Sequence, residues 1–128
     1  MARSERFELS VKVLAVLAAE PGRMRTSQSI ATALDKDAVM VRRTYSLLQK
    51  AGWIVQRKGP HGGARLKVRP RQIGIGDVFA ATSGDWVSLK DKTSTELMKK
   101  VRSAAVRAMN NYTLAEVVRK MHLRNDKC

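Results

Sequence analysis

Apolar side chains recur at helical spacing along most of this chain, and the first such stretch is FELSVKVLAVLAAEPG. Val13, Leu14, Val16 and Leu17 include pairs that are three and four residues apart, which predicts a core helix. Ser10 is the predicted N-cap of that helix, and Pro21 and Gly22 mark its predicted end.

The next two apolar stretches are shorter and lie close together. TSQSIATALD predicts a short helix starting at Thr26 or Ser27, and AVMVRRTYSLLQKAGW predicts a longer one. Asp37 is placed to cap the longer helix and Gly52 to end it. The inward positions of this helix are 41, 44, 45 and 48. Two helices separated by a few residues, the second one basic, indicate a helix-turn-helix.

After Gly52 the pattern changes to that of strands. WIVQRK and ARLKV are short β-prone runs that flank GPHGG. A flexible basic linker and the tip of a β-hairpin both have this composition, but strand formers on both sides favour the hairpin. The predicted fold is therefore mainly α with a small β-hairpin wing: a winged helix-turn-helix followed by further helices.

The remaining sequence again has helical spacing. IGIGDVFAATSGDW predicts a short helix over 77–81, and TSTELMKKVRSAAVRAMNN predicts a long helix that opens with a capping box from Thr93 to Glu96. YTLAEVVRKM opens with a second box, from Thr113 to Glu116.

The long helix carries an apolar stripe that a complete winged helix does not need. Its members are Leu97, Val101, Ala105 and Ala108. We expect this stripe to build a homodimer, the alternative being that the helix folds back on its own domain. The predicted division is a DNA-binding part over residues 1–72 and a dimerisation part over 73–128, sharing one core.

Charge narrows the choice of partner. The chain has 25 Lys and Arg against 11 Asp and Glu, a formal net charge of +14. Ten of the cations and one acid, Asp37, fall between Lys36 and Arg71. A basic cluster of this kind favours a polyanionic partner, and nucleic acid is a better candidate than an anionic membrane.

Other functional classes have little support in the sequence. No P-loop, HExxH or CxxC motif is present, so we expect no enzyme. The single cysteine, Cys128, cannot form a disulfide within the chain, and we interpret it as an exposed thiol rather than a redox switch. No apolar run reaches the length of a membrane span and MARSERFELS is no signal peptide, so we expect a cytoplasmic protein without membrane contacts.

Six segments in order carry a family resemblance: LSVKVLAVLA, IATAL, VRRTYSLLQKAGWI, GPHGGARL, IGIGDVFAAT and YTLAEV. Over residues 7–120 the chain resembles the Rrf2 family of bacterial winged-helix regulators. The resemblance implies a homodimeric transcription regulator, usually a repressor, that binds a palindromic operator. It also implies DNA contacts from the third helix, in the major groove, and from the wing, in the minor groove.

The chain departs from the family at the sensor. Family members that hold an iron–sulfur cluster carry three cysteines in the loop before the long helix, and here that loop, TSGDWVSLKDK, has none. The resemblance therefore implies the cysteine-poor branch of the family, and we expect no cofactor and no metal. An unknown small-molecule effector is one source of the signal, and Trp53 and Trp86 are candidate walls for its pocket or core residues.

Candidate DNA contacts come from the helix-turn-helix and the wing. Arg42 or Arg43 has the donors to bind guanine O6 and N7, and the resemblance favours Arg42; contact with phosphate alone is the alternative. Arg3 and Arg6 are weaker phosphate candidates. The full set is Lys12, Ser27, Gln28, Val39, Met40, Arg42, Arg43, Ser46, Arg57, Lys58, Pro60, His61, Gly62 and Arg65.

Two other functions remain open at this point. One is a nucleic-acid-binding protein without sequence preference, whose affinity depends on salt alone. The other is a regulator that acts through a protein partner. The favoured partners are double-stranded DNA and a second copy of the chain.

Overall fold

The structure, a computed structural model, describes residues 3–83 and 92–126, with side chains described for 5–82 and 96–121. Its helices and strands are α1 (Arg3–Ala19), α2 (Ser27–Leu34), α3 (Ala38–Lys50), β1 (Ile54–Arg57), β2 (Gly63–Leu66), α4 (Ile75–Ser83), α5 (Lys92–Met109) and α6 (Leu114–Asp126). A 3-10 turn, Pro70–Gln72, precedes α4. The prediction of a mainly helical fold with one small hairpin after a helix-turn-helix is confirmed.

Helix α1 begins earlier than predicted and is buried on several sides. It starts at Arg3, so Ser10 lies inside it and is 2% exposed; the prediction that Ser10 is the N-cap is wrong. Arginine, glutamate and leucine before Ser10 are good helix formers, and they extend the helix backwards. Helix α1 packs against α2, α3, α4, α6 and β2, and the Phe7 ring meets Phe79 of α4 edge-on at 5.5 Å.

One cluster of buried side chains, among the described residues, joins the winged helix to the C-terminal helices. Leu14, Leu48 and Ile54 come from α1, α3 and β1. Val78 of α4 and Leu114 of α6 belong to the same cluster and are fully buried. Helices α4 and α6 are therefore packed into the core of the winged helix.

Backbone hydrogen bonds fix the start of α6 beside the start of α4. The N–H of Ile75 donates to the carbonyl of Tyr112, and the N–H of Leu114 donates to the carbonyl of Ile73, both at 2.9 Å. Helix α6 begins at Leu114, directly after Thr113, as predicted.

Helix α4 is longer than the predicted 77–81, and its first turn lies against the end of α5. The side chain of Asn110 accepts from the N–H of Asp77 at 3.0 Å and donates to its carboxylate at 3.1 Å. A Cβ on Gly76 would lie 2.1 Å from the carbonyl oxygen of Val106, so only glycine permits this approach.

Helix α5 turns one face to α4 and the opposite face away from its own chain. It begins at Lys92, one residue before the predicted start at Thr93; the Thr93 side chain lies outside the described residues. Val106 lies on the α4 side, whereas Leu97 and Val101, half a turn away, are 60% and 44% exposed. Of the predicted apolar stripe, Leu97, Val101 and Ala108 are thus exposed, and Ala105 is half-buried.

Candidate nucleic-acid interface

Local sequence fixes both ends of α3. Asp37 is the N-cap, and its carboxylate accepts a hydrogen bond from the N–H of Val39 at 2.7 Å. After Ala51, Gly52 takes a φ of +87°, the left-handed conformation that commonly ends a helix. Both predictions for the ends of this helix are confirmed.

The period of α3 separates a buried face from an exposed one. The predicted inward residues, Val41, Thr44, Tyr45 and Leu48, are all buried. At 100° per residue the opposite face carries Val39, Arg42, Arg43 and Ser46, which are all exposed.

The two arginines point to different flanks of α3. Arg42 lies seven residues before Gln49, on the same side of the helix, and the Gln49 side chain accepts a hydrogen bond from Gln56 of β1. Arg42 is therefore on the flank beside the hairpin. Arg43 lines a crevice of about 390 Å³ on the other flank, with Arg6 of α1.

The turn between α2 and α3 takes three residues, as predicted from the polar break. Asp35 ends α2 in the left-handed conformation, with φ of 54° and ψ of 52°. Lys36 then donates from its N–H to the carbonyl of Ala31 at 2.9 Å. Asp is among the residues that tolerate this conformation, so the sharp turn needs no glycine.

The hairpin is fixed to the body of the protein at Arg25, before α2. Backbone N–H and carbonyl groups of Arg25 and Ala64 exchange two hydrogen bonds of 2.8 Å. The hydroxyl of Tyr45 donates to the same Arg25 carbonyl at 2.8 Å. A Cβ on Gly63 would lie 2.4 Å from that oxygen, so glycine is required there. No sequence pattern predicted this joint, the set of hydrogen bonds at Arg25 that gives the hairpin a fixed position beside α3.

The tip of the hairpin, residues 58–62, is a compact turn. The N–H of Gly62 donates to the carbonyl of Gly59 at 3.0 Å, and Gly59 has a φ of +104°. Gly62 is buried, and a Cβ there would lie 2.2 Å from the carbonyl oxygen of Arg57. Gly62 therefore shapes the turn through its backbone. The exposed residues around it are Arg57, Lys58, Pro60 and His61.

At the start of α2 the cap is Thr26. Its hydroxyl accepts from the N–H of Ser29 at 3.1 Å, and Ser27 is the first residue of the helix. The prediction left the start open between these two residues. Ser27 is half-buried and Gln28 is exposed, both at the N-terminus of α2, where backbone N–H groups attract anions.

Three further candidates have protein contacts of their own. Lys12 forms an ion pair of 2.8 Å with Glu8, and this contact lowers the pKa of the Glu8 carboxyl. Arg65 is half-buried and donates to the carbonyl of Leu66 at 3.3 Å. Met40 is half-buried against the core. These residues are less available to a duplex than Arg42 or Lys58, which are both exposed.

Two searches of the described residues concern metal ligands and membrane-spanning helices. No group of three histidine, cysteine, aspartate or glutamate side chains comes together among them. In the same part of the chain, no helix combines the length and the apolar character needed to cross a membrane.

The helix-turn-helix, its exposed basic third helix and the docked hairpin define the class of winged-helix transcription regulators. The sequence profile of the Rrf2 family, described as an iron-dependent transcriptional regulator, matches residues 3–120. The chain belongs to this family. No curated protein sequence matches it.

Solved structures share the fold at low identity. CymR (YrzC), the global cysteine regulator of B. subtilis, is 22% identical, with a TM-score of 0.71 over 90% of this chain and 94% of that chain. CymR of Staphylococcus aureus is 22% identical, with a TM-score of 0.69 over 89% and 95% of the two chains. T. potens IscR is 21% identical, with a TM-score of 0.68 over 94% and 86%.

An iron–sulfur cluster held by thiolates does not fit the donors of this chain, although the family description names iron. A cluster held by several thiolates needs several cysteines, and the sequence has one, Cys128, which lies outside the described residues. The cysteine-free segment TSGDWVSLKDK also falls mostly outside the described residues. The number of cysteines alone therefore rules out a cluster of this type.

Proposed function

We propose that this protein is a homodimeric repressor of transcription that binds a palindromic operator. In each half-site α3 enters the major groove and the hairpin lies in the adjacent minor groove. The observation that best supports this proposal is the fixed position of the basic hairpin beside the exposed face of α3. Because Arg42 is on the hairpin flank of α3, it and the exposed Arg57 and Lys58 face neighbouring parts of one duplex.

Each cation has a role that follows from its chemistry. Arg42 reads guanine, since its guanidinium donates two parallel hydrogen bonds to O6 and N7. Arg57 and Lys58 neutralise phosphates at the minor groove, where a narrow groove concentrates negative potential. Gly62 shapes the turn through its backbone.

The outer face of α5 supports the proposed dimer. Leu97 and Val101 expose large apolar surfaces on the side of the helix that points away from α4. A second copy related by a two-fold axis covers the same stripe on both chains. Residues 73–128 then pair two DNA-binding parts, residues 1–72, at the spacing of a palindrome.

The DNA test begins with selection of a preferred duplex from a random pool, followed by fluorescence anisotropy against that duplex and a scrambled one. Arg42→Ala is expected to reduce the preference by about 5- to 150-fold, the value of one bidentate base contact. Lys58→Ala, the matched control, is expected to weaken both duplexes alike and to reduce the salt slope by about one. Equal affinity for both duplexes in the unmutated protein would show non-specific binding. No duplex affinity, with a stoichiometric protein partner, would show regulation through that partner.

The dimer test is sedimentation velocity on the full chain. The unmutated protein is expected to sediment as a dimer and Leu97→Glu as a folded monomer, because a charge in the stripe must be desolvated on pairing. Lys100→Glu changes an exposed residue of the same helix outside the stripe, and it is expected to remain dimeric. A Leu97→Glu variant that stays dimeric would contradict the assignment of this surface.

A further inference from the structure

The face of α5 that packs against α4 lines an open cavity with a strongly cationic lining. The cavity has a volume of about 530 Å³. Its lining residues are Ala80, Lys99, Arg102, Ser103, Val106 and Arg107. Three of these carry a positive charge, and none of the described lining residues is acidic. Cations that meet at one cavity repel each other unless an anion lies between them.

Arg102 supplies the most specific observation. Its Nη2 donates to the carbonyl of Ala80 at 3.1 Å, which ties the guanidinium to α4. Its Nε is buried and has no hydrogen-bond partner. A buried donor without a partner loses its hydration and gains nothing in return, and the loss is larger when the group is charged. Such a donor in a folded protein needs a ligand or a water to complete it.

Helical spacing brings the other polar groups to the same place. Lys99, Arg102 and Ser103 lie within one turn of α5, three and four residues apart, so their side chains share one face. A guanidinium presents its N–H donors in a plane that matches the oxygens of a carboxylate or a phosphate. The ammonium of Lys99 and the hydroxyl of Ser103 add donors that such an oxyanion accepts.

We propose that the cavity between α4 and α5 binds a small molecule through a phosphate or carboxylate group, with Arg102 as its principal donor. The volume falls in the range of small-ligand sites. The site lies on α4 and α5, whereas the candidate DNA contacts lie on α1, α2, α3 and the hairpin. The proposal therefore stands on observations separate from those for operator binding.

The test uses the full chain with sodium phosphate or sodium succinate as the probe, against sodium chloride at matched ionic strength. NMR of arginine side chains follows the Nε–Hε resonance of Arg102, and thermal unfolding follows the midpoint. Both are expected to change saturably with at least one of the two oxyanions. Saturation with phosphate alone or with succinate alone identifies the group that the site accepts.

Three variants separate this site from general screening of a basic protein. Arg102→Gln is expected to abolish the saturable rise in midpoint. Lys99→Ala leaves the hydrogen bond from Arg102 to the Ala80 carbonyl in place. This variant is expected to bind the oxyanion severalfold more weakly without unfolding. Arg42→Ala, on the candidate DNA face, is expected to keep the full response. A response equal to that in chloride, or displacement of phosphate by duplex DNA, would overturn the proposal.

Discussion

The hydroxyl of Tyr45 makes a prediction that can be followed quantitatively across pH. Tyr45 is 2% exposed, and its hydroxyl donates to the Arg25 carbonyl that also accepts from Ala64. In Tyr45→Phe the carbonyl keeps its bond from Ala64, so no buried acceptor is left without a donor. The expected loss at neutral pH is therefore that of one ordinary hydrogen bond, about 0.5–1.5 kcal/mol of unfolding free energy.

Above pH 10 the difference in stability between Tyr45→Phe and the unmutated protein is expected to change. Burial raises the pKa of the Tyr45 phenol from 10.0 to about 12, against a smaller opposing effect of the Arg25 guanidinium. Because the pKa of the phenol is higher in the folded than in the unfolded protein, the stability that the protonated phenol contributes is complete below about pH 10. This stability is lost as the pH rises towards 12. At pH 11 the difference between the two pKa values corresponds to a loss of about 1.4 kcal/mol. Tyr45→Phe has no phenol to ionise and escapes this loss.

Urea unfolding at pH 7, 9, 10 and 11 tests this expectation. Tyr45→Phe is expected to be less stable than the unmutated protein by about 0.5–1.5 kcal/mol at pH 7. At pH 11 the stability difference is expected to have shifted in favour of the variant by about 1.4 kcal/mol, with the same urea dependence. Tyr112→Phe is the matched control, since Tyr112 is 57% exposed and is expected to show no such shift. A stability difference between Tyr45→Phe and the unmutated protein that stays constant from pH 7 to 11 would refute the reasoning.

Two further predictions concern the ends of helices. Asp37→Ala removes the acceptor for the Val39 N–H and is expected to lower the free energy of unfolding by about 1 kcal/mol, measured in urea. Asp37→Asn is expected to keep most of the stability of the unmutated protein, and equal stability of the two variants would contradict the role of Asp37 as the cap. Gly76→Ala sets a methyl group against the backbone carbonyl of Val106 and is expected to lower the free energy of unfolding by about 1–3 kcal/mol, measured by thermal denaturation; an unchanged midpoint would show that α4 and α5 separate easily.

The sequence predicted those parts of the fold that depend on neighbours along the chain. Helix α3 is the clearest case, since Val41 and Leu48 follow the helical period, and Asp37 and Gly52 are local signals for its ends. The hairpin was equally predictable, because turn residues stand between two runs of strand formers. The start of α1 was not, since a serine marks an N-cap only when the residues before it leave the helix.

Contacts between distant residues could not be predicted in the same way. The bonds between Arg25 and Ala64 join backbone groups, which carry no signature in either side chain. The contact of Asn110 with Asp77 likewise depends on how α4 meets α5. For the candidate site, the sequence identified the cations but not their flanks of α3. It also did not distinguish Gly62, buried in the turn, from its exposed neighbours.

The joint at Arg25 separates two ways of changing DNA affinity. Ala64 and Tyr45 both donate hydrogen bonds to the Arg25 carbonyl, so the hairpin already has its position before a duplex binds. Ordering of the hairpin backbone therefore costs little free energy on binding. The exposed side chains of Arg42 and Lys58 still have to be ordered on binding. Under the proposed function, substitutions at the joint therefore reduce stability and weaken binding to every duplex together. Substitutions of the exposed cations change binding while the free energy of unfolding stays the same.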